Sequence, residues 1–178
     1  MKRWKKIILG VLAAVGVFIA VGFLLPARVH VERSTVIQGK AETVFPLVAT
    51  LRRWPGWTAW TTNRFPDMTT RFEGTESGVG AVMIAEGKSS GNGTVKITRA
   101  EATQGVWYEL DFEHGTQLFQ GAVTFEPVGE ALKVSWHLET DLGANPLKRW
   151  AGLLLDKLMG GDMATGLANL KRKVEVVQ

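Results

Sequence analysis

Residues 106–113 have the sequence VWYELDFE, and their pattern gives the strongest indication of the fold class. From Val106 onward every second residue is apolar, while the residues between them are mostly acidic. Such alternation predicts a β-strand with one face covered by protein and the other in water. Residues 132–141, LKVSWHLETD, repeat the pattern and predict a second strand of the same kind.

Turn residues separate further short apolar stretches on both sides of these strands. Between residues 69 and 141, turns that contain glycine recur at the spacing of β-hairpins, at 74–80, 87–93, 103–105, 114–116 and 129–131. A strand over residues 29–38 and a short helix over residues 41–49 precede them. We therefore predict an antiparallel sheet built from successive hairpins.

The C-terminal segment predicts one long helix. Asn145 followed by Pro146 is typical of a helix start, because asparagine caps the first turn and proline fits the first helical position. An apolar stripe follows at helical spacing: Leu147, Trp150, Leu154, Leu158, Leu167, Leu170 and Val174. We expect a bend or break at Gly160–Gly161 and an end near Val176. The predicted fold class is α+β, a curved antiparallel sheet wrapped on this helix with room for a cavity between them.

Residues 7–25, from Ile7 to Leu25, contain neither a charge nor a strongly polar side chain. As a helix they would extend about 28 Å, which matches the hydrocarbon core of a bilayer. We predict a transmembrane anchor, and the alternatives are a cleaved signal peptide or a buried soluble helix. The basic residues of segment 1–6 place that segment in the cytoplasm and the domain over residues 27–178 outside it. The prediction is a single-pass protein of the cytoplasmic membrane, whose domain is periplasmic in a bacterium with two membranes.

Charge and composition exclude several classes of function. Of the 21 basic residues four lie in segment 1–6, which leaves 17 basic against 17 acidic residues in the rest of the chain. A nucleic-acid-binding domain normally carries an excess of positive charge, so we predict no nucleic-acid partner. The chain has no cysteine, which excludes disulfides and thiolate metal sites. No P-loop or dinucleotide-binding motif is present, and we predict no cofactor.

The titratable residues of the predicted sheet form no evident catalytic arrangement. The histidines do not stand in a metal-binding motif, and we predict no metal site at His30, His114 or His137. The acidic residues of the strand over 106–113 share the face opposite Tyr108. We interpret them as solubility charges rather than as a pair for acid–base catalysis: Glu109, Asp111 and Glu113.

The covered side of the sheet is rich in aromatic and methionine side chains, as pockets for apolar ligands are. The candidate pocket residues from this pattern are Trp54, Trp57, Trp60, Met83, Tyr108, Phe112, Phe125, Trp136, Leu154 and Leu158. Tyr108 is the only tyrosine and a weak catalytic candidate, since a phenol can donate a proton or a hydrogen bond. The alternative is that all of these are ordinary core residues.

Short segments at the start of the domain, in its tryptophan-rich part, in its central hairpin and in its last helix carry a family resemblance. They are residues 31–34 (VERS), 54–60 (WPGWTAW), 78–81 (GVGA), 91–98 (GNGTVKIT) and 166–171 (GLANLK). Together they resemble the START-like (SRPBCC) superfamily, above all its small bacterial polyketide cyclase-like proteins. The resemblance extends over about residues 29–175 and implies the fold called a helix-grip.

The resemblance also points to a difference at one end of the implied cavity. Relatives often carry a tryptophan at the position of Ala85 and an aromatic residue at that of Met83. The smaller side chains imply a wider cavity here, unless a neighbouring tryptophan fills the space, and the resemblance thereby adds Ala85 to the candidate pocket residues.

Three functions are compatible with these patterns. We favour a membrane-anchored protein that binds an apolar small molecule or lipid between the sheet and the C-terminal helix, because no catalytic constellation is evident. The first alternative is an enzyme of the polyketide cyclase/dehydrase kind, in which Tyr108 would donate a proton. The second is an interaction domain whose cavity is filled by its own side chains.

Overall fold

The structure, a computed structural model, describes residues 2–176, with Lys2 described in its backbone only. The helices are α1 (Lys2–Leu24), α2 (Ala41–Ala49), a 3-10 helix (Leu51–Gly56), α3 (Pro146–Gly152) and α4 (Leu155–Glu175). The strands are β1 (Arg28–Ile37), β2 (Thr69–Gly74), β3 (Ala81–Glu86), β4 (Gly93–Glu101), β5 (Gly105–Phe112), β6 (Gln117–Val128) and β7 (Ala131–Asp141).

All strands belong to a seven-stranded antiparallel sheet with the order β1-β7-β6-β5-β4-β3-β2. Strands β2 to β7 follow one another as hairpins, whereas β1 pairs with β7, so the first and last strands are neighbours. The register of β4 and β5 shifts between Ile97 and Arg99, and such a bulge increases the local twist. Helix α4 packs on the inner side of β1 and β7, and α2 packs on β5.

This architecture confirms the predicted α+β class and the helix-grip fold. The long helix lies against one face of a curved antiparallel sheet, and an apolar helix precedes the domain. The alternation in residues 106–113 has the predicted consequence, because Val106 and Tyr108 are buried in the core. The predicted start of the last helical segment also holds, since the side chain of Asn145 accepts hydrogen bonds from the amides of Leu147 and Lys148.

The structure corrects the predicted break at Gly160–Gly161. Helix α4 runs without interruption through both glycines, and the break lies earlier, at Leu153–Leu154, between α3 and α4. Gly160 has a packing role instead, because a Cβ atom there would lie 2.0 Å from Nη2 of Arg33. The absence of a side chain lets the Arg33 guanidinium pass the helix and bind the Asp156 carboxylate, at 2.8 and 3.1 Å.

Helix α1 stands apart from the core of the domain. Its segment Arg3–Leu24 is long and apolar enough to cross a membrane, and most of its side chains are exposed. A core helix of a soluble protein would be covered by its neighbours, and α1 is not. Along its length α1 packs chiefly against α3, near its C-terminal end.

Candidate ligand-binding cavity

An apolar cavity of about 190 Å³ lies between the inner face of the sheet, the segment around the 3-10 helix, and α4. The lining residues are Trp54, Pro55, Thr58, Trp60, Met68, Thr70, Met83, Ala85, Ser90, Gly91, Gly93, Val95, Tyr108, Leu110, Phe112, Trp136, Leu138, Met159 and Met163. Among these described residues there is no aspartate, glutamate, histidine, lysine or arginine. The walls therefore suit an uncharged, largely apolar molecule.

Tryptophans fix one wall of the cavity. The indole N–H of Trp54 donates to the carbonyl of Val48 at 2.8 Å, and that of Trp57 donates to Leu47 at 3.1 Å. Both rings contact Trp136, with ring centroids 6.2 and 5.1 Å apart. Buried indole N–H groups need such acceptors, and the bonds to α2 hold the tryptophan-rich segment in place.

Tyr108 contributes the phenol at the base of the cavity. Its ring leans over the neighbouring strand at Gly121, where a Cβ atom would lie 2.1 Å from Cζ of the tyrosine. The indole N–H of Trp136 donates to the phenol oxygen at 2.7 Å. Burial raises the pKa of Tyr108 above its ordinary value, and the bond from Trp136 offsets part of that shift. The phenol therefore stays protonated and can act as a hydrogen-bond donor.

The structure brings together most, but not all, of the residues predicted to form the pocket. Those that line the cavity are Trp54, Trp60, Met83, Ala85, Tyr108, Phe112 and Trp136. Ala85 lies in a row with Thr70, Gly93 and Phe112 across neighbouring strands. Two of these residues have little or no side chain, and they leave space at this end of the cavity.

The structure places the remaining predicted residues elsewhere. Trp57 is 1% exposed and packs behind Trp136 in the core. Phe125 is also a core residue, but it lies away from the cavity. It is four positions along β6 from Gly121, the partner of the cavity residue Tyr108, and this spacing is about 13 Å at the usual rise of a strand. Leu154, just before α4, and Leu158 in its first turn are exposed, so they point away from the sheet.

Sequence reasoning missed the residues that α4 does contribute to the cavity. Counting back from Leu167 in steps of four gives Met163, Met159 and Leu155, and these side chains face the sheet. The predicted stripe used Leu158 and Leu154 instead, which lie one position away on the helix and so on another face. Extending the stripe from its buried C-terminal end would have identified the methionines.

A possible metal site lies on the outer face of the sheet. Among the residues that the structure describes, one group of histidine and acidic side chains is close enough together to hold an ion: His30, Glu32 and His137. The Oε2 atom of Glu32 lies 3.5 Å from Nε2 of His30 and 3.5 Å from Nδ1 of His137. Ligand atoms of tetrahedral zinc are about 3.4 Å apart, so the spacing is compatible with a divalent ion. The sequence did not indicate this group, because His137 is far from the other two in the chain. It lies on the opposite side of the sheet from the cavity.

The remaining polar candidates also lie outside the cavity. The carboxylate of Glu113 accepts hydrogen bonds from the backbone and side chain of Asn92, and that of Asp111 accepts from the amide of Gly115. Glu109 contacts Gln120 on the same outer face. Burial lowers the pKa of His137, and the Glu32 carboxylate opposes that shift. These groups stabilise turns and the outer surface of the sheet.

Solved structures resemble this arrangement. CV1439 from Chromobacterium violaceum superposes with a TM-score of 0.59 at 13% sequence identity, covering 83% of this chain and 98% of that one. The di-domain ARO/CYC StfQ from the steffimycin biosynthetic pathway superposes with a TM-score of 0.63 at 12% identity, covering 84% of this chain and 51% of that one. A Rhodobacter sphaeroides protein gives 0.59 at 12% identity over 84% and 95% of the two chains. At such identities these matches establish the fold alone.

The fold and the cavity define a helix-grip domain of the START-like superfamily. The sequence profile of the family described as "Polyketide cyclase / dehydrase and lipid transport" matches residues 28–175, nearly the whole domain. This chain belongs to that family. No protein with a curated description matches the chain. The family description covers both enzymes and carriers, and fold alone does not choose between them.

Proposed function

We propose that this chain is a membrane-anchored protein that binds an apolar small molecule or lipid between the sheet and α4. The observation that carries the proposal is the cavity itself, which is apolar and uncharged along its described lining. Burying apolar ligand surface there would be favourable by roughly 25 cal/mol per Å². The cavity is also open space, which disfavours an interaction domain filled by its own side chains.

A few polar groups would orient the ligand. Within residues 2–176 the Tyr108 phenol accepts a hydrogen bond from Trp136 and donates none, so its O–H is available to a ligand carbonyl or hydroxyl. Thr58, Thr70 and Ser90 also line the cavity, and the Ser90 hydroxyl donates to the carbonyl of Gly91 at 3.0 Å. An apolar wall with a few such groups is the usual composition of a small-molecule site.

The volume limits the size of the ligand. A cavity of about 190 Å³ is slightly larger than the ~150 Å³ cavity that admits benzene, and it lies below the ~300–1,000 Å³ of most ligand pockets. The site accordingly suits a small ring system or part of one acyl chain. Flexible methionines line it and could make room for more, since methionine adapts easily to a new shape: Met68, Met83, Met159 and Met163.

The membrane anchor would be α1. It has the length and composition of a bilayer-spanning helix, and few of its side chains are covered by protein. The basic residues before the apolar run favour a cytoplasmic N-terminus, and the domain would then lie on the outer side of the membrane. A cleaved signal sequence can have the same length and composition as a membrane anchor. If α1 is a signal sequence, the mature protein lacks α1.

A polyketide cyclase or dehydrase is the second candidate function. The family description supports it, and the phenol of Tyr108 is a protic group inside the cavity. An enzyme of this kind would use the enclosed apolar walls to shape a reactive chain and Tyr108 to donate a proton or hydrogen bond. The described lining offers no carboxylate or imidazole as a partner base, which favours binding without catalysis.

The test is native mass spectrometry of the full-length chain, gently purified in detergent from its own host, followed by extraction of bound molecules. We expect a reproducible apolar adduct. The variant Ala85→Trp should lose it, because an indole at this position points into the cavity. The matched control is Ile84→Trp, one residue away on the outer face of β3, and it should keep the adduct.

An adduct that persists in Ala85→Trp would show that binding occurs elsewhere and would overturn the proposal. Wild-type protein that never carries an apolar adduct would also count against a stable carrier. Turnover of polyketide-like substrates by such protein, abolished in Tyr108→Phe, would then establish the enzyme.

A further inference from the structure

Helix α3 is built into the junction between α1 and the domain. The ring of Trp150 stacks on that of Phe18 in α1, with centroids 4.7 Å apart and planes 4° from parallel. The Trp150 indole N–H also donates to the carbonyl of Phe18 at 3.1 Å. Arg149 donates to the carbonyls of Phe23 and Leu25 at 2.7 and 3.1 Å, where the end of α1 leaves carbonyls without helical partners.

Two glycines permit this close packing. A Cβ atom at Gly22 of α1 would lie 2.7 Å from Cβ of Pro146, and one at Gly152 of α3 would lie 2.4 Å from Cδ1 of Leu142 in the domain. By contrast, Gly16 of α1 has no neighbouring atom within 4 Å of such a position. The rigid proline ring and backbone at Pro146 make glycine necessary at position 22, whereas at position 152 the side chain of Leu142 would have to shift.

The contact with Phe18 has a consequence for the depth of α3. Phe18 precedes the end of α1 at Leu24 by six residues, which is about 9 Å along a helix. When α1 spans a bilayer, the Trp150 ring therefore lies about 9 Å below the end of the span. Interfacial helices bury their apolar faces about 5–10 Å into the boundary between headgroups and acyl chains. Helix α3 must then lie in this layer rather than in water.

The side chains that α3 and the start of α4 leave uncovered suit that layer. Leucines are exposed there, and we call them the leucine face: Leu147 61%, Leu153 55%, Leu154 56% and Leu158 64%. The backbone of Leu153 and Leu154 stays in the right-handed helical region. The spacing of seven and four residues from Leu147 through Leu154 to Leu158 therefore keeps these three near one side. Contiguous exposed apolar surface of this kind usually marks an interaction site.

We propose that the leucine face inserts into the outer leaflet of the bilayer that α1 spans, so that the domain has a second membrane contact. The occupant is the lipid leaflet itself, because the face continues the apolar surface of α1. The inference rests on the anchorage by α1 in the proposed function.

The chain offers a clean test because it contains no cysteine. Single cysteines are introduced into the full-length chain in nanodiscs of phosphatidylcholine with a minor share of phosphatidylglycerol, and each is spin-labelled. Leu154→Cys and Leu158→Cys report the leucine face, and Val15→Cys reports the middle of α1. Val79→Cys is the matched control, an equally exposed apolar residue in the turn before β3. The readout is relaxation of the label by oxygen, which enters lipid, and by a polar nickel complex, which does not.

We expect labels at positions 154 and 158 to be several-fold less accessible to the nickel complex than the label at position 79, and closer to the label at position 15. Labels at 154 and 158 that behave like the one at 79, while the one at 15 is protected, would overturn the docking of the leucine face and leave the anchor intact. A label at 15 that is open to the nickel complex would overturn both, whatever the cavity binds.

A second pair of variants tests the junction. Gly22→Val should separate α3 from α1 and raise the nickel accessibility of the label at position 154 several-fold, because the added side chain meets Pro146. Gly16→Val is the control on the same helix, where a side chain meets no protein atom, and it should leave the label protected. Equal accessibility in both variants would contradict the role of the junction.

Discussion

The two halves of the C-terminal helical segment carry similar side chains in opposite surroundings. In the second half of α4, Leu167 and Leu170 are buried against the sheet. Around the start of α4, Leu154 and Leu158 are more than half exposed. Both halves show the apolar spacing of an amphipathic helix. In the first half, however, the side chains that pack against the core are Leu155 and Met159, and the leucine face lies outside it.

This difference separates two questions that a sequence pattern combines. Apolar residues at helical spacing predict which side chains avoid water. They do not predict what replaces the water, which is the sheet for Leu167 and Leu170. For the leucine face we propose the lipid leaflet. Substitutions that affect the two halves differently therefore test the comparison directly.

The largest contrast should come from shortening one leucine in each half. Leu170→Ala removes a fully buried side chain, so it should lower the free energy of unfolding by about 2–5 kcal/mol. Leu158→Ala should change it by no more than about 0.5 kcal/mol, because the protein itself does not cover that side chain. Denaturant unfolding of the full-length chain in detergent measures both. A large effect of Leu158→Ala would mean that the first half also packs in a protein core.

Two glycines of α4 should respond in opposite directions to alanine. At Gly166 a Cβ atom would lie 2.8 Å from Cζ3 of Trp136, so Gly166→Ala should destabilise the protein by about 1–3 kcal/mol and lower the occupancy of the cavity that Trp136 lines. At Gly161 a Cβ atom meets nothing within 4 Å, so Gly161→Ala should stabilise the helix by up to about 1 kcal/mol. Thermal unfolding distinguishes them, and equal effects would contradict the close approach at Gly166.

The smallest expected effect concerns the ion pair near the start of α4. The guanidinium of Arg33 lowers the pKa of Asp156 by a hydrogen bond and its charge, so the pair favours the folded state above the ordinary carboxylate pKa of 3.8. This contribution should be lost as the pH falls through the lowered pKa. The stability difference between wild type and Asp156→Asn should therefore be constant near neutral pH and disappear in acid. A difference that persists in strong acid would show that Asp156 acts through packing.

Most of the fold could be predicted from local pattern. The alternation in residues 106–113 and 132–141, the glycine turns between the strands and the cap at Asn145 each determine local geometry, and the structure follows them. The predicted break at Gly160–Gly161 was wrong because glycine does not only interrupt helices. It also occurs inside a continuous helix where a neighbouring group leaves no room for a side chain. Here Gly160 makes room for Arg33 of a distant strand, and no local pattern indicates that contact.

The cavity could be predicted only in part, for a similar reason. The strand alternation fixes which side chains face inward, so Tyr108 was assigned to the correct face, whereas Ala85 became a candidate only through the family resemblance. The rotation of α4 about its axis depends on how it packs on β1, and an error of one position exchanged Met159 for Leu158. The group of His30 and His137 depends on the pairing of the first strand with the last, which local spacing does not indicate.

The connection between α1 and the domain is very short. Helix α1 ends at Leu24 and β1 begins at Arg28, so even a fully extended chain would allow about 14 Å between them. The amide of Leu142 also donates to the carbonyl of Ala27 at 2.7 Å, which holds this connection against the domain. If α1 spans a membrane as proposed, the domain can rotate and diffuse within the plane of that membrane, but it cannot carry a ligand across an aqueous gap to a second membrane. It would have to exchange its ligand with proteins or lipids that come to it.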